Sequence, residues 1–100
     1  MSVTKSITPD SKRVDINISG RFDFSVHKEF RDAYRNHPGL AEYRVNLNAA
    51  SYMDSSALGM LLLLREHSGE DRNRVVLCNP SPGIRKILEI ANFDRLFRIE

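Results

Sequence analysis

Residues 43–69, YRVNLNAASYMDSSALGMLLLLREHSG, change their hydrophobic period halfway along. Tyr43, Val45 and Leu47 alternate with Arg44, Asn46 and Asn48, the two-residue period of a strand with one buried face. From Ser56 to His67 leucine dominates, and Ala57, Met60, Leu61 and Leu64 recur at helical spacing, with Gly69 placed to stop the helix. At the junction, Met53-Asp54-Ser55-Ser56-Ala57-Leu58-Gly59 sets an acid and two adjacent hydroxyls at the helix start. A strand that runs straight into a helix predicts an α/β chain.

The flanks extend that pattern. Val14, Ile16 and Ile18 alternate with Asp15, Asn17 and Ser19 in a strand that Gly20 is expected to end, and Val3 to Ile7 can pair with it across the turn-like Pro9-Asp10-Ser11. Val26, Phe30, Ala33 and Tyr34 share one helical face, with Ser25 as the expected N-cap and Pro38-Gly39 as the stop. Val75 to Cys78 read as a strand covered on both faces. Ser81-Pro82 supplies an N-cap and an N1 proline for a helix carrying Ile84, Ile87, Leu88 and Ala91. Leu96, Phe97 and Ile99 close the chain as a short strand or packed tail. The order β-β-α-β-α-β-α-β predicts a mixed sheet with right-handed crossovers and helices packed mainly on one face.

One hundred residues at 41% hydrophobic content suffice for one core, so a single domain over residues 1–100 is expected. Lysine and arginine number 15 against 13 acids, a formal charge of +2 spread along the chain. Direct nucleic-acid binding calls for a concentrated cationic face and is not expected. Cys78 is the lone cysteine, and no charged segment followed by an apolar one opens the chain, so a cytoplasmic location is expected. The longest apolar run, Met60 to Leu64, falls far short of the roughly 20 residues that span a bilayer, and no membrane role is expected.

Two features exceed what folding requires. One side chain suffices to cap a helix, yet Asp54, Ser55 and Ser56 all compete for that place. Leu58, Leu62 and Leu63 also widen the apolar stripe beyond one core face, which should leave some leucine at the surface for a partner. Hydrolase chemistry would make Ser55 or Ser56 a nucleophile served by His27, His37 or His67, but the G-x-S-x-G elbow is absent. There is no metal-ligand spacing and no glycine-rich phosphate loop, so neither a metal nor a cofactor is expected. Arg72, Arg74, Arg85 and Lys86 read as solvated surface charge.

Met53-Asp54-Ser55-Ser56-Ala57-Leu58-Gly59 resembles the D-S-[ST]-G-[LI]-G motif of STAS-domain anti-sigma factor antagonists, the phosphorylatable members of bacterial partner-switching systems. The resemblance spans nearly the whole chain. Ser19-Gly20-Arg21-Phe22-Asp23 sits where the family carries a glycine followed by a hydrophobic-Asp pair. Pro80 to Leu88 and Phe93 to Phe97 are similar to its last helix and closing segment. Gly20-Arg21-Phe22-Asp23-Phe24 and Phe30-Arg31-Asp32-Ala33-Tyr34 resemble, more loosely, Gram-negative single-domain antagonists linked to motility and biofilm control. The chain departs from the family in two places: Ala57 stands where glycine is usual, and many relatives continue beyond the position of Glu100 into a fourth helix.

The resemblance implies a STAS fold and a regulatory protein that is not an enzyme. Its partners would be an anti-sigma factor with serine-kinase activity and a PP2C-type phosphatase. It implies phosphorylation of Ser55, with neighbouring Ser56 as the alternative, and a partner surface of Asp23, Asp54, Leu58 and Leu62. A phosphate adds about −1.5 to −2 charges, which a helix N-terminus tolerates. A partner lying over Leu58 and Leu62 would have to bury that charge, which costs several kcal/mol. The unmodified protein is thus expected to bind the anti-sigma factor and the phosphoprotein to release it, controlling sigma-dependent transcription. The alternative is a STAS scaffold or small-ligand-sensing module that is never phosphorylated.

Overall fold

The computed structural model describes residues 2–100. Thr8, Asp10 and Ser11 close the first hairpin: Asp10 Oδ1 accepts from Thr8 Oγ1 at 2.6 Å and from the Lys12 amide at 3.1 Å, while Ser11 adopts a left-handed φ of 59°. This turn pairs β1 (Val3–Ile7) antiparallel with β2 (Arg13–Phe22). The remaining strands, β3 (Glu42–Met53), β4 (Val75–Cys78) and β5 (Arg98–Ile99), add in parallel, and the spatial order is β1-β2-β3-β4-β5. Each parallel pair needs a crossover, supplied in turn by α1 (His27–Tyr34), α2 (Ser55–Ser68) and α3 (Pro82–Ile90). The expected mixed α/β order is the observed one.

The two faces of the sheet differ as strand alternation requires. Val14, Ile16, Ile18, Tyr43, Val45, Leu47, Val75 and Leu77 point into one core with Phe30, Ala57, Leu61, Leu64, Ile84, Leu88 and Phe97. The opposite face carries Arg13, Asp15, Arg44 and Glu42 in ion pairs that continue to Arg98 and Glu100. Val76 sits between Arg44 and Arg98 in the ladder and is fully buried. Thus β4 is covered on both faces as its composition predicts, with arginine stems flanking Val76 on the far face.

Three local expectations change. Gly20 does not end β2: it takes a left-handed φ of 76° at a pairing irregularity, and the strand resumes to Phe22 beside Met53. The extra residue at this step is Ser51 of β3, which falls between the partners of Gly20 and Arg21, and glycine lets β2 take its left-handed φ beside that bulge and carry on. Ser25 is not the cap of the following helix. Asp23 caps a single 3-10 turn (Phe24–Val26) by accepting from the Ser25 amide, and α1 continues from it with no side-chain cap of its own. Helix α1 also stops at Tyr34, before Pro38. By contrast, Ser81 caps α3 with Pro82 in its first turn, and Gly69 ends α2 at φ 98°, as expected.

Candidate functional site

The site forms where the parallel strands β2 and β3 end side by side. Phe22 pairs with Met53, so the two acids that follow, Asp23 and Asp54, leave the sheet at the same edge. Each begins a helical turn: Asp23 Oδ1 accepts from the Ser25 amide at 3.0 Å and from the Ser25 hydroxyl, and Asp54 Oδ1 accepts from the Ala57 amide at 3.1 Å. Both carboxyls are held below their ordinary range. For Asp54 the Ser56 hydroxyl is the main cause, followed among the lowering effects by the Ala57 and Ser56 amides, while partial burial and the negative charge of Asp23 push upward. For Asp23 the Ser25 hydroxyl and amide come first, then Arg21.

The two serines differ sharply. Ser56 Oγ donates to Asp54 Oδ1 at 2.6 Å and is half-buried, so it belongs to the cap. Ser55, the first residue of α2, is exposed, and among the described residues its hydroxyl has no hydrogen-bond partner. The residue pattern by itself makes both of them surplus capping groups and the family resemblance puts Ser55 first; the geometry gives the two hydroxyls different surroundings.

Behind Ser55, residues three, four and seven further along share its helical face: Leu58, Gly59 and Leu62. Leu62 is 38% exposed, whereas Leu58 is half-buried and packs partly on the core. Leu63, at 47% exposure, turns toward α1, where it lines a cleft with Tyr34 and His67. Phe24, 67% exposed beside Asp23 and stacked on His27, adds an apolar group that the pattern did not single out. Arg21 was missed as well. Its guanidinium lies 4.0 Å above the Tyr52 ring and its Nε is 3.1 Å from Asp23 Oδ2. The cross-strand pairing of Arg21 with Tyr52 was hidden, because an extra residue in β3, Ser51, shifts the register between Gly20 and Arg21.

The arrangement is a polar edge with adjoining leucines. Among the described residues no imidazole is hydrogen-bonded to either serine: His37 meets Lys5, and His67 lies against Tyr34 and Tyr43 with a ring nitrogen 3.2 Å from the His37 carbonyl. A cleft of about 290 Å³ opens on the far face of the sheet, lined by Arg13, Asp15, Asn17 and Arg44. Its charges already neutralise one another, Arg13 with Asp15 and Arg44 with Glu100.

A family model described as "Mlab, STAS domain" matches residues 6–98. The chain belongs to this STAS family. A STAS-domain containing protein of Pseudomonas aeruginosa (strain UCBPP-PA14) is 50% identical over an alignment of 100 residues that covers 99% of each chain. Among solved structures, the anti-sigma factor antagonist SpoIIAA in its unphosphorylated form superposes with a TM-score of 0.72 at 21% identity, over 98% of this chain and 86% of that one. The phosphorylated form of SpoIIAA, a Bacillus cell fate determinant, gives 0.67 at 20% identity over 98% and 90%. A putative anti-sigma factor antagonist from Thermotoga maritima gives 0.81 at 17% identity over 97% and 84%. These likenesses place the STAS protein in the SpoIIAA-like fold. Among its described residues no helix is long and apolar enough to cross a membrane.

Proposed function

We propose that this STAS protein is an anti-sigma factor antagonist: a binding protein of the cytoplasm, switched by phosphorylation of Ser55. The observation that carries the reading is the difference between the serines. The Ser55 hydroxyl is exposed and, among the described residues, unbonded at the first position of α2, while that of Ser56 is committed to Asp54. In the modification, Ser55 Oγ attacks the γ-phosphorus of ATP, the bond to the β–γ bridging oxygen breaks, ADP leaves, and the hydroxyl proton passes to a base on the kinase. Asp54 holds the helix start in place for that attack, and Asp23 borders the same edge.

Unmodified, the edge offers Leu62, part of Leu58 and exposed Phe24 to an anti-sigma factor that is also the kinase. A PP2C-type phosphatase restores the serine. A phosphate among Asp54, Asp23 and these apolar groups forces a partner to bury charge. A penalty of about 4 kcal/mol weakens binding nearly a thousandfold. Incubation with ATP and the cognate anti-sigma kinase, followed by mass spectrometry, tests the assignment. Phosphate is expected on the wild type and on Ser56→Ala, and none on Ser55→Ala. Uptake by Ser55→Ala would sink the site, and unchanged partner recovery by Ser55→Asp would favour a scaffold that is never phosphorylated.

A further inference from the structure

We propose that Arg21 is the counter-ion for the phosphoryl group on Ser55, exchanging its bond to Asp23 for bonds to the phosphate; this rests on Ser55 as the modified residue. Three observations carry it. First, Arg21 is a cation held at this edge: its side chain is 64% exposed, and the Tyr52 ring fixes the guanidinium plane from 4.0 Å. Tyr52 lies two residues before Asp54 and pairs with Arg21 across the strand ends.

Second, Asp23 can release Arg21 without becoming unsatisfied. It keeps the Ser25 amide and the Ser25 hydroxyl as donors, and those two do more than Arg21 to hold its charge. Among the described residues Arg21 has no ion pair besides Asp23, so no second carboxylate competes with a phosphate for it, and the Tyr52 ring can carry the guanidinium through the exchange.

Third, the edge is already crowded with negative charge, since Asp23 acts repulsively on Asp54. A phosphoserine there adds about −1.5 to −2 more. Arginine offers a planar fork that bonds two phosphate oxygens at once, and such charge-assisted bonds are roughly twice as strong as neutral ones. The exchange therefore runs toward the more highly charged acceptor. It also changes the unmodified surface in a second way, because the guanidinium that a partner meets beside Asp23 is drawn to the phosphate.

The test places phosphoserine at position 55 of the full chain by genetic encoding and follows its second ionisation by 31P NMR. In the wild type it should lie below the ordinary value near 6 by about half a pH unit or more. Arg21→Ala should raise it to about 6 or above, because Asp23 and Asp54 remain. Arg21→Lys should fall between, and the remote Lys86→Ala should match the wild type. Equal values in the wild type and Arg21→Ala would overturn the proposal. Should Arg21→Ala lose its dispersed amide spectrum, Arg21→Gln takes its place under the same criterion. A kinase that leaves Ser55 untouched would defeat the functional reading alone, since encoded phosphoserine keeps the titration readable.

Discussion

Asp54 Oδ1 serves two donors, the Ala57 amide and the Ser56 hydroxyl, and this sharing separates the roles of the serines. Removing the Ser56 hydroxyl takes one bond from the cap but leaves the amide bond, so Ser56→Ala should melt within about 4–8 °C of the wild type by circular dichroism. The carboxyls also set an acid limit. Asp23 and Asp54 have folded-state pKa values below those of the unfolded chain, near 3.9, so the unfolded state binds more protons as the pH falls. Their contribution is complete above the unfolded value and is lost as pH drops through the folded ones. Urea midpoints should therefore hold steady in this respect down to about pH 5 and fall below about pH 4. The double variant Asp23→Asn/Asp54→Asn, which keeps the acceptor oxygens, should show a shallower acid decline. An equally steep decline would mean that other carboxyls, such as Glu100 beside Arg98 and Arg44, govern acid stability. The identity of these acids was legible from the sequence; the division between Ser55 and Ser56 was legible only through the family resemblance, because both are capping residue types and the torsions at the helix start decide which one turns inward.

At the scale of the element, α2 contains a glycine that its own structure does not require. Gly59 lies in the helix interior with no positive φ, and a Cβ there would meet open space. Glycine at such a place costs about 0.5–1 kcal/mol against alanine. On the proposed function its place on the Ser55 face gives it a role: a flat spot between Leu58 and Leu62 would let a partner's backbone come close. Gly59→Ala should accordingly raise stability by about 0.5–1 kcal/mol in urea melts and weaken binding of the anti-sigma partner measured by calorimetry. Tighter binding would show that this face is not the contact. Gly20 teaches the reverse lesson. Its left-handed φ falls beside the step where β3 carries an extra residue, yet its composition marks it as a terminator, because a glycine inside a strand and one that ends it look alike without the partner strand. The same bulge concealed the Arg21–Tyr52 stack, since one extra residue shifts which side chains meet across β2 and β3. The capping of α2, α3 and the 3-10 turn shows where local signals suffice. Asp54 and Ser81 each stand directly before a periodic apolar run, whereas Asp23 caps a turn too short to have a period.

Across the whole molecule, stability and switching occupy different places. The core lies between the sheet and the three helices, with Tyr43, Ile16, Leu61 and Leu64 fully buried, while Ser55 stands on the rim where β2 and β3 end. Truncation in that core, as in Leu61→Ala, should cost about 2–5 kcal/mol. A charge on Ser55 removes no core contact and stands at the N-terminus of α2, where the helix dipole favours a negative group, and the proposed exchange of Arg21 adds a cation to offset it. Phosphorylation should therefore shift the thermal midpoint by no more than about 4–8 °C in either direction, while affinity for the anti-sigma partner falls by roughly two to three decades. Scanning calorimetry and titration calorimetry on one preparation, before and after modification, measure both quantities. If affinity fell only in step with a collapse in thermal stability, release would be a consequence of unfolding. A stable phosphoprotein that binds weakly would locate the switch at the interface, as expected of a charge placed at the edge of an intact core.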